Sequence, residues 1–178
     1  LVMGITGQLI NWPDAFTQAL AAAGFYVITF DNRDVGLASY YDDLETPSVM
    51  DAIQRKQQGE AVKIPYTLND MAEDIFVLMD GLNIQKTHLA GISMGGQIAE
   101  LFAIEHPERL LSLTLIATTS GDPGLPPPKS KVLDFFFSQN GNDLESEVKR
   151  HIQQYQLYYH PDDFDVDRVR ALHEKAYQ

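Results

Sequence analysis

The stretch Leu89-Ala90-Gly91-Ile92-Ser93-Met94-Gly95-Gly96 sets the interpretation of the whole chain. It contains the pattern Gly-x-Ser-x-Gly, formed by Gly91, Ser93 and Gly95. At ordinary residue frequencies, three fixed positions recur by chance in roughly one chain in twenty of this length. The pattern therefore needs support from the sequence on either side of it.

Both flanks give that support. Residues 86–90 form a short run typical of a buried strand. After the pattern, apolar residues return at helical spacing as Ile98, Leu101 and Phe102, and His106-Pro107 is a stop signal for a helix. The sequence therefore predicts a strand, a sharp turn that contains Ser93, and a helix.

A strand-turn-helix with this pattern is the context of a nucleophile elbow. Such a turn forces the serine into a strained backbone conformation and points its hydroxyl away from the sheet. Gly91 and Gly95 are required because a Cβ at either position would clash where strand and helix cross. The Met94 N–H lies at the start of the helix, where it faces developing negative charge. The alternative is a tight turn that contains a serine with no chemical role.

Composition narrows the class of protein. The 178 residues carry a formal net charge of −12, which argues against nucleic-acid and anionic-membrane partners. The chain contains no cysteine, so disulfides and thiolate metal sites are excluded, and we predict a cytoplasmic location. No run of 18 apolar residues is present, so we expect no membrane span.

The elements alternate along the first two thirds of the chain. Residues 1–4 resemble the end of a buried strand, and we expect that residues preceding them are missing. A helix is predicted between Pro13 and Gly24, a strand over 25–30, a surface helix over 48–58, and a helix that opens with a capping-box variant at residues 67–70. Another strand is predicted over 110–117. This order predicts a parallel sheet with helices on both faces.

The chain changes character between Gly121 and Lys129, where four prolines break both helix and sheet. Helical spacing then continues in a segment rich in Phe and Tyr, and no strand of the sheet is expected after about residue 129. We therefore predict two domains: a core over residues 1–125 and a partial helical cap over residues 126–178.

Several further motifs carry a family resemblance. Residues 30–37, Phe-Asp-Asn-Arg-Asp-Val-Gly-Leu, resemble an Asp-x-Arg-x-x-Gly turn that follows a strand. Residues 66–72, Tyr-Thr-Leu-Asn-Asp-Met-Ala, resemble a helix opening of esterases, and residues 106–109, His-Pro-Glu-Arg, the end of the elbow helix. Together with Gly121-Asp122-Pro123 and the prolines at 126–128, they make the chain similar to the α/β-hydrolase fold superfamily, and most similar to its aclacinomycin methylesterase-like group.

The resemblance implies an α/β-hydrolase fold: a mostly parallel sheet with flanking helices and the start of a helical lid, in a chain truncated at both ends. It implies a carboxylic ester hydrolase of the EC 3.1.1 type that acts on a small-molecule ester with no metal or organic cofactor. Ser93 would be the nucleophile, and the N–H groups of Ile5 and Met94 would form the oxyanion hole. Where relatives carry His-Gly, this chain has Met3-Gly4, which leaves the Ile5 backbone donor intact.

The acid and the base of the triad are not evident. In this fold they follow the serine in the order acid, then histidine. We interpret His106 as a helix cap, His88 as a packed strand residue, and the three later histidines as surface or lid residues: His151, His160 and His173. Asp122 is at the position of the acid in some relatives, but an ordinary turn is the better interpretation. We therefore expect both residues beyond Gln178, and negligible ester hydrolysis by residues 1–178 alone.

For three residues near the predicted site, a structural role is the alternative to contact with the substrate. Asp31 and Arg33 are expected to fix their turn by hydrogen bonds rather than to contact substrate. Trp12 is a candidate for lining the pocket near the oxyanion loop, and an aromatic anchor for the first helix is the equal alternative.

The sequence is also compatible with reactions other than ester hydrolysis. The same triad supports cofactor-free haloperoxidase-like perhydrolysis or C–C bond hydrolysis. A non-catalytic ligand-binding relative would keep the fold without the reaction.

Overall fold

The computed structural model describes residues 1–41, 48–122, 124–126, 129–137, 143–158 and 165–177. The chain divides into two compact units, Leu1–Gly121 and Asp122–Gln178. The first unit contains the sheet, and the described elements of the second are helices. Whether the second unit is the cap of a hydrolase stays a prediction.

Apart from the strand predicted over residues 25–30, the elements of the first unit follow the predicted order. They are α1 (Asp14–Ala22), α2 (Val49–Gln57), α3 (Leu68–Gly81), β1 (Thr87–Ile92), α4 (Met94–Glu105) and β2 (Leu110–Ile116). Short 3₁₀ turns lie at Leu9–Asn11 and Pro107–Arg109. The capping box that opens α3 is confirmed, because Thr67 and Asp70 each accept the other's backbone N–H. This exchange satisfies two N–H groups that a helix start otherwise leaves unpaired.

The sheet is parallel, as predicted. Strands β1 and β2 pair in register from His88 opposite Ser112 to Ile92 opposite Ile116. On the other edge of β1, the Val2 N–H donates to the Ala90 carbonyl at 2.8 Å, and the Val2 carbonyl accepts from Ile92 at 3.1 Å. The opening residues therefore run beside β1, and β1 lies between them and β2.

The prediction of a strand over residues 25–30 is wrong, because these residues belong to no strand. The Leu1 amino group donates to the Ile28 carbonyl at 2.7 Å, and the Phe25 ring packs edge-on against the His88 ring of β1. Phe25 and Tyr26 expose 46% and 86% of their surface. The β-branched and aromatic composition favours an extended chain, but a strand also needs a partner backbone, which composition does not supply.

A core of apolar side chains fixes α3 and α4 against the sheet. Helix α4 packs on both strands and on α3. The buried cluster consists of Val2, Met71, Ala72, Ile75, Met79, Leu89, Ile98, Ala99 and Phe102. Because α4 contributes three of these residues, its first turn is held at a fixed place at the end of β1. No helix in the described ranges is long and apolar enough to cross a bilayer.

The second unit contains α5 (Ser130–Phe137), α6 (Leu144–Tyr158) and α7 (Val166–Tyr177). Within the part of this unit that the structure describes, no strand is present, as predicted. Helices α6 and α7 pack together, with Val148 and Val169 buried. The Arg170 guanidinium also donates to both carboxylate oxygens of Glu145, at 2.8 and 3.1 Å.

Candidate active site

Ser93 lies between the last residue of β1 and the first residue of α4, with φ 55° and ψ −124°. A positive φ is uncommon for a residue with a Cβ and is maintained only where the surroundings fix it. Here the Ser93 N–H donates to the Ile116 carbonyl at 3.0 Å, and the Ser93 carbonyl accepts the Thr118 hydroxyl at 2.7 Å. The prediction of an unusual backbone in a strand-to-helix turn is confirmed.

The glycines on either side of Ser93 are required for space. A Cβ on Gly91 would overlap the Gly95 carbonyl, and a Cβ on Gly95 would overlap the carbonyls of Val2 and Met3. These obstacles are main-chain atoms, which cannot rotate out of the way as a side chain can. Gly91 therefore permits the close crossing of β1 and α4, and Gly95 permits the close approach of α4 to residues 2 and 3.

The two predicted oxyanion amides lie on either side of the serine. Met94 is the first residue of α4, so its N–H has no acceptor within the helix. On the other side, a Cβ built on Gly4 would lie 3.1 Å from Ser93 Cβ and 3.6 Å from Ser93 Oγ, which places the chain just before Ile5 against the serine. Among the described residues, neither the Ile5 nor the Met94 N–H has an acceptor. Both amides are therefore available to a bound oxygen atom.

Asn32 holds the backbone before Gly4 and Ile5 in place, a role that no local sequence pattern predicts. Its side chain is 4% exposed, and its Nδ2 donates to the Met3 carbonyl at 3.0 Å. A buried amide at this position fixes the backbone one residue before Gly4. The available signal was an uncharged residue between Asp31 and Arg33 directly after an apolar run, and that signal does not identify the partner.

Asp31 and Arg33 form hydrogen bonds within the fold, as expected. Asp31 accepts the N–H groups of Leu9 and Leu37 at 2.6 and 3.0 Å, one on each carboxylate oxygen. The Arg33 guanidinium binds both oxygens of Asp74, at 2.7 and 2.6 Å. This bidentate bond raises the pKa of Arg33 above its ordinary value. The two residues fix the 31–37 turn to the 3₁₀ turn and to α3.

A cavity of about 670 Å³ adjoins the two residues predicted to form the oxyanion hole. Ile5 and Met94 line it, and the turn after residue 32 forms one of its walls through Arg33 and Asp34. Trp12 is not among the lining residues; it is buried and stacks on Phe16 of α1 with ring centroids 5.6 Å apart. This contact favours the anchor alternative for Trp12.

The histidines of the first unit are engaged away from Ser93. The His88 ring is hydrogen-bonded to the Ser112 hydroxyl at 2.8 Å. The His106 ring stacks on Phe76, and its Nε2 lies 2.6 Å from a Glu73 carboxylate oxygen. Glu73, Glu105 and His106 bring potential metal-ligand atoms within 4.8 Å of one another, on the helices α3 and α4. Exposed carboxylates and a hydrogen-bonded histidine are also an ordinary helix-end contact.

The remaining triad candidates lie in the second unit. Asp122 caps a turn, because its carboxylate accepts the Gly124 N–H at 2.6 Å and its carbonyl the Leu125 N–H at 3.0 Å. His151 and His173 stack on each other with ring centroids 3.6 Å apart. Burial lowers the pKa of both rings, that of His173 to about 4. His160 lies outside the described residues.

Comparison with known proteins places these features in a family. The sequence model of the α/β-hydrolase fold family matches residues 1–175. Rhodomycin D methylesterase DauP of Streptomyces sp. (strain C5) is 30% identical over 194 aligned residues, covering 97% of this chain and 59% of that protein. Rhodomycin D methylesterase DnrP of Streptomyces peucetius is 29% identical, covering 96% and 58%. The chain therefore spans just under three fifths of the length of these relatives.

Solved structures share the fold at lower sequence identity. A hydrolase from Pseudomonas aeruginosa superposes with a TM-score of 0.58 at 22% identity, covering 96% of this chain and 56% of that one. A meta-cleavage product hydrolase from Pseudomonas fluorescens superposes with a TM-score of 0.64 at 16% identity, covering 99% and 55%. At these identities the likeness concerns the fold alone.

Proposed function

Because this chain belongs to the α/β-hydrolase fold family, we propose that it carries the nucleophile of a carboxylic ester hydrolase and that Ser93 is that nucleophile. The observation that carries the proposal is the Ser93 backbone, φ 55° and ψ −124°, held between β1 and α4. Backbone strain of this kind is enriched at active sites. The methylesterase relatives support ester hydrolysis over other reactions of the fold.

The proposed reaction runs in two steps. Ser93 Oγ attacks the ester carbonyl carbon as its proton passes to a histidine base. The N–H groups of Ile5 and Met94 then bind the carbonyl oxygen as it becomes negative. The C–O bond to the alcohol breaks, the alcohol takes the proton from the histidine, and water later hydrolyses the acyl-serine. Losing one oxyanion donor typically costs about 3–4 kcal/mol of transition-state stabilisation.

The acid and base of this reaction belong to the proposal as well. The two histidines of the first unit are bonded to Ser112 and Glu73, and among the described residues Ser93 Oγ has no hydrogen-bond partner. We propose that the acid and base follow residue 178 in the natural protein, and that the second unit is part of its helical cap. A cytoplasmic location is likewise a proposal, motivated by the absence of cysteine.

The test is turnover of p-nitrophenyl acetate by the natural protein, by its Ser93→Ala variant and by Ser112→Ala as a control. Ser112 is an exposed serine of β2 whose hydroxyl contacts His88. We expect Ser93→Ala to lose at least about 10³-fold in kcat and Ser112→Ala to stay near the unmodified rate. A serine-reactive fluorophosphonate should label the natural protein and not Ser93→Ala. Unchanged turnover or labelling in Ser93→Ala would overturn the proposal.

A fragment of residues 1–178 gives a second test. We expect it to hydrolyse p-nitrophenyl acetate negligibly, because a serine hydroxyl without a base is a weak nucleophile. Robust turnover by the fragment would make the second-unit histidines the candidates for the base.

A further inference from the structure

The cavity beside the proposed oxyanion amides is lined by both apolar and polar side chains. Six apolar side chains line it: Ile5, Val35, Ile64, Leu68, Met71 and Met94. Two tyrosines, Tyr40 and Tyr66, and two charged residues, Arg33 and Asp34, also line it. In a cavity with so much apolar lining, a charge in the wall acts over a longer range than it would in water. The two charged residues therefore decide what the cavity accepts.

The charge of Arg33 is matched within the fold. Its guanidinium makes two hydrogen bonds to the Asp74 carboxylate and a third to the Asp70 carbonyl at 3.2 Å. The rings of Tyr41 and Tyr66 lie 5.4 and 5.0 Å from its central carbon, within the range of a cation–π contact. An anion that entered the cavity would compete with Asp74 for a donor group that is already bound bidentately.

Asp34 has partners of a different kind. Its carboxylate accepts the Tyr41 N–H at 2.7 Å and is hydrogen-bonded by the Tyr66 hydroxyl. Both donors are neutral, so these hydrogen bonds do not cancel its charge. Its backbone has φ 60°, the left-handed conformation that Asp and Asn tolerate better than most residues. Burial, the hydrogen bond to Asp34 and the Asp34 charge together raise the pKa of Tyr66 to about 12.

We propose that Asp34 determines specificity in this cavity, which takes esters that carry an ammonium group in preference to isosteric neutral esters and rejects esters that carry a carboxylate. A carboxylate flanked by tyrosine rings is a combination that attracts an organic cation, through charge and through the faces of the rings. The same carboxylate repels an anion. This inference deepens the proposed function and rests on it.

The experiment compares three acetate esters of similar size on the natural protein: acetylcholine, the neutral isostere 3,3-dimethylbutyl acetate, and the anion 4-acetoxybutanoate. We expect kcat/KM for acetylcholine to exceed that of the neutral ester about 10-fold, and the anion to be the poorest substrate. In Asp34→Asn the cation-to-neutral ratio should fall toward one. Asparagine keeps the shape, the backbone preference and an acceptor for the Tyr41 N–H.

Two variants serve as matched controls. Asp14→Asn makes the same change of charge at the exposed start of α1 and should leave the cation-to-neutral ratio unaltered. Tyr66→Phe removes the hydroxyl donor but keeps the ring and the Asp34 charge, so the ratio should stay above one. A ratio that falls equally in Asp14→Asn would assign the effect to overall charge and overturn the role of Asp34.

A binding measurement tests the preference for a cation independently of the proposed reaction. Calorimetry on the Ser93→Ala protein should show that benzyltrimethylammonium binds more tightly than benzyl alcohol, and that adding Asp34→Asn weakens the cation about 10-fold. Loss of esterase activity in Ser93→Ala with no preference for the cation would leave the proposed function standing and overturn the inference. Cation binding together with unchanged turnover in Ser93→Ala would overturn the proposed function and, with it, the assignment of this cavity to an ester substrate.

Discussion

Helix α4 of the first unit packs through Ile98, Ala99 and Phe102, all fully buried among apolar neighbours, whereas the contact between α6 and α7 of the second unit includes two stacked histidines. An apolar contact of the first kind keeps its strength across the physiological pH range. A contact built on two imidazoles weakens when either ring gains a proton, because burial then opposes the new charge. The surface pair of Arg170 with Glu145 adds little, since exposed pairs contribute about 0–1 kcal/mol.

The two kinds of packing differ in how firmly they can hold a catalytic group in position. Ser93 directly precedes α4. A rigid α4 therefore holds the Ser93 hydroxyl and the Met94 N–H each in a single position. Catalysis by an oxyanion hole depends on such preorganisation. The second unit contains none of the groups that we assign to the oxyanion hole. Hydrogen–deuterium exchange of α4 amides reports the stability of the first unit, and exchange of α6 amides reports that of the second, so the difference between the two units can be tested by mutation.

The largest effect is expected for Gly95→Ala. The new Cβ would overlap the carbonyls of Val2 and Met3, and both are main-chain atoms of the sheet. We expect the free energy of unfolding of the first unit to drop by more than about 4 kcal/mol, with protection of α4 lost and that of α6 retained. Gly81→Ala is the control: apart from its chain neighbours and the adjoining backbone of its own helix, no atom lies within 4 Å of its Cβ position, and the change should be neutral or slightly stabilising. Equal losses for both variants would refute the steric argument.

Phe102→Ala tests the apolar core itself. Phe102 is fully buried in the cluster between α3, α4 and the sheet. Removing its ring should cost about 3–4 kcal/mol, from lost burial and from the cavity left behind. The loss should appear in the exchange of α4 amides, measured at two pH values, and be the same at both. A cost under about 1 kcal/mol would mean that the core is less tightly packed than the structure indicates.

Acid should weaken the second unit selectively. Burial lowers the pKa of His173 from its ordinary value of 6.5 to about 4 and also lowers that of His151, whose neighbours include Glu147 and Arg150. Between these pH values the unfolded chain binds a proton that the folded unit does not, so stability falls as the pH drops from about 6.5 to about 4. The protection factors of α6 and α7 amides, which correct for the slower intrinsic exchange at lower pH, should fall over this range. His173→Phe should abolish most of that fall; a variant as acid-sensitive as the parent would assign the effect elsewhere.

The smallest effects are expected at helix caps, where the two units should behave alike. The Thr67 hydroxyl accepts the Asp70 N–H at the start of α3, and the Asp143 carboxylate accepts the Ser146 N–H at the start of α6. Thr67→Ala should cost about 1 kcal/mol, and Asp143→Ala should cause a similarly small local loss, because a cap acts locally whatever the core beneath it. Exchange of the first-turn amides measures each loss. A cost several times larger in one unit would show that its cap also supports tertiary contacts.

Local signals in the sequence predicted most of the first unit and the serine turn. The glycines around Ser93, the Thr67 cap and the apolar spacing of α3 act over a few residues, so they can be read from a single chain. The 25–30 segment shows the opposite case. Its composition favours extension, but strand pairing is decided by a distant backbone, and among the described residues its backbone bonds only to Leu1 and Leu20, neither of which lies in a strand.

The polar contacts of the site were less accessible to sequence analysis. Asn32 reaches Met3 and Arg33 reaches Asp74, across separations of 29 and 41 residues. The cavity wall formed by Asp34 and Tyr66 likewise joins residues that are far apart in sequence. Residue type suggested that Asp31 and Arg33 bond within the fold, but no local pattern names a partner so far away. Neither the sequence motif nor the described contacts identify the acid and the base of the triad.

The Asn32 amide has a practical meaning for protein engineering. It binds the Met3 carbonyl, and Asp31 binds the Leu9 N–H, so both ends of the 4–8 loop are tied to residues that precede the long connection between Ala38 and Tyr66. Shortening, lengthening or exchanging that connection would leave these ties in place. The connection is therefore the natural place to graft foreign sequence when a new substrate preference is sought, because the amide donors keep their geometry while the cavity rim is rebuilt.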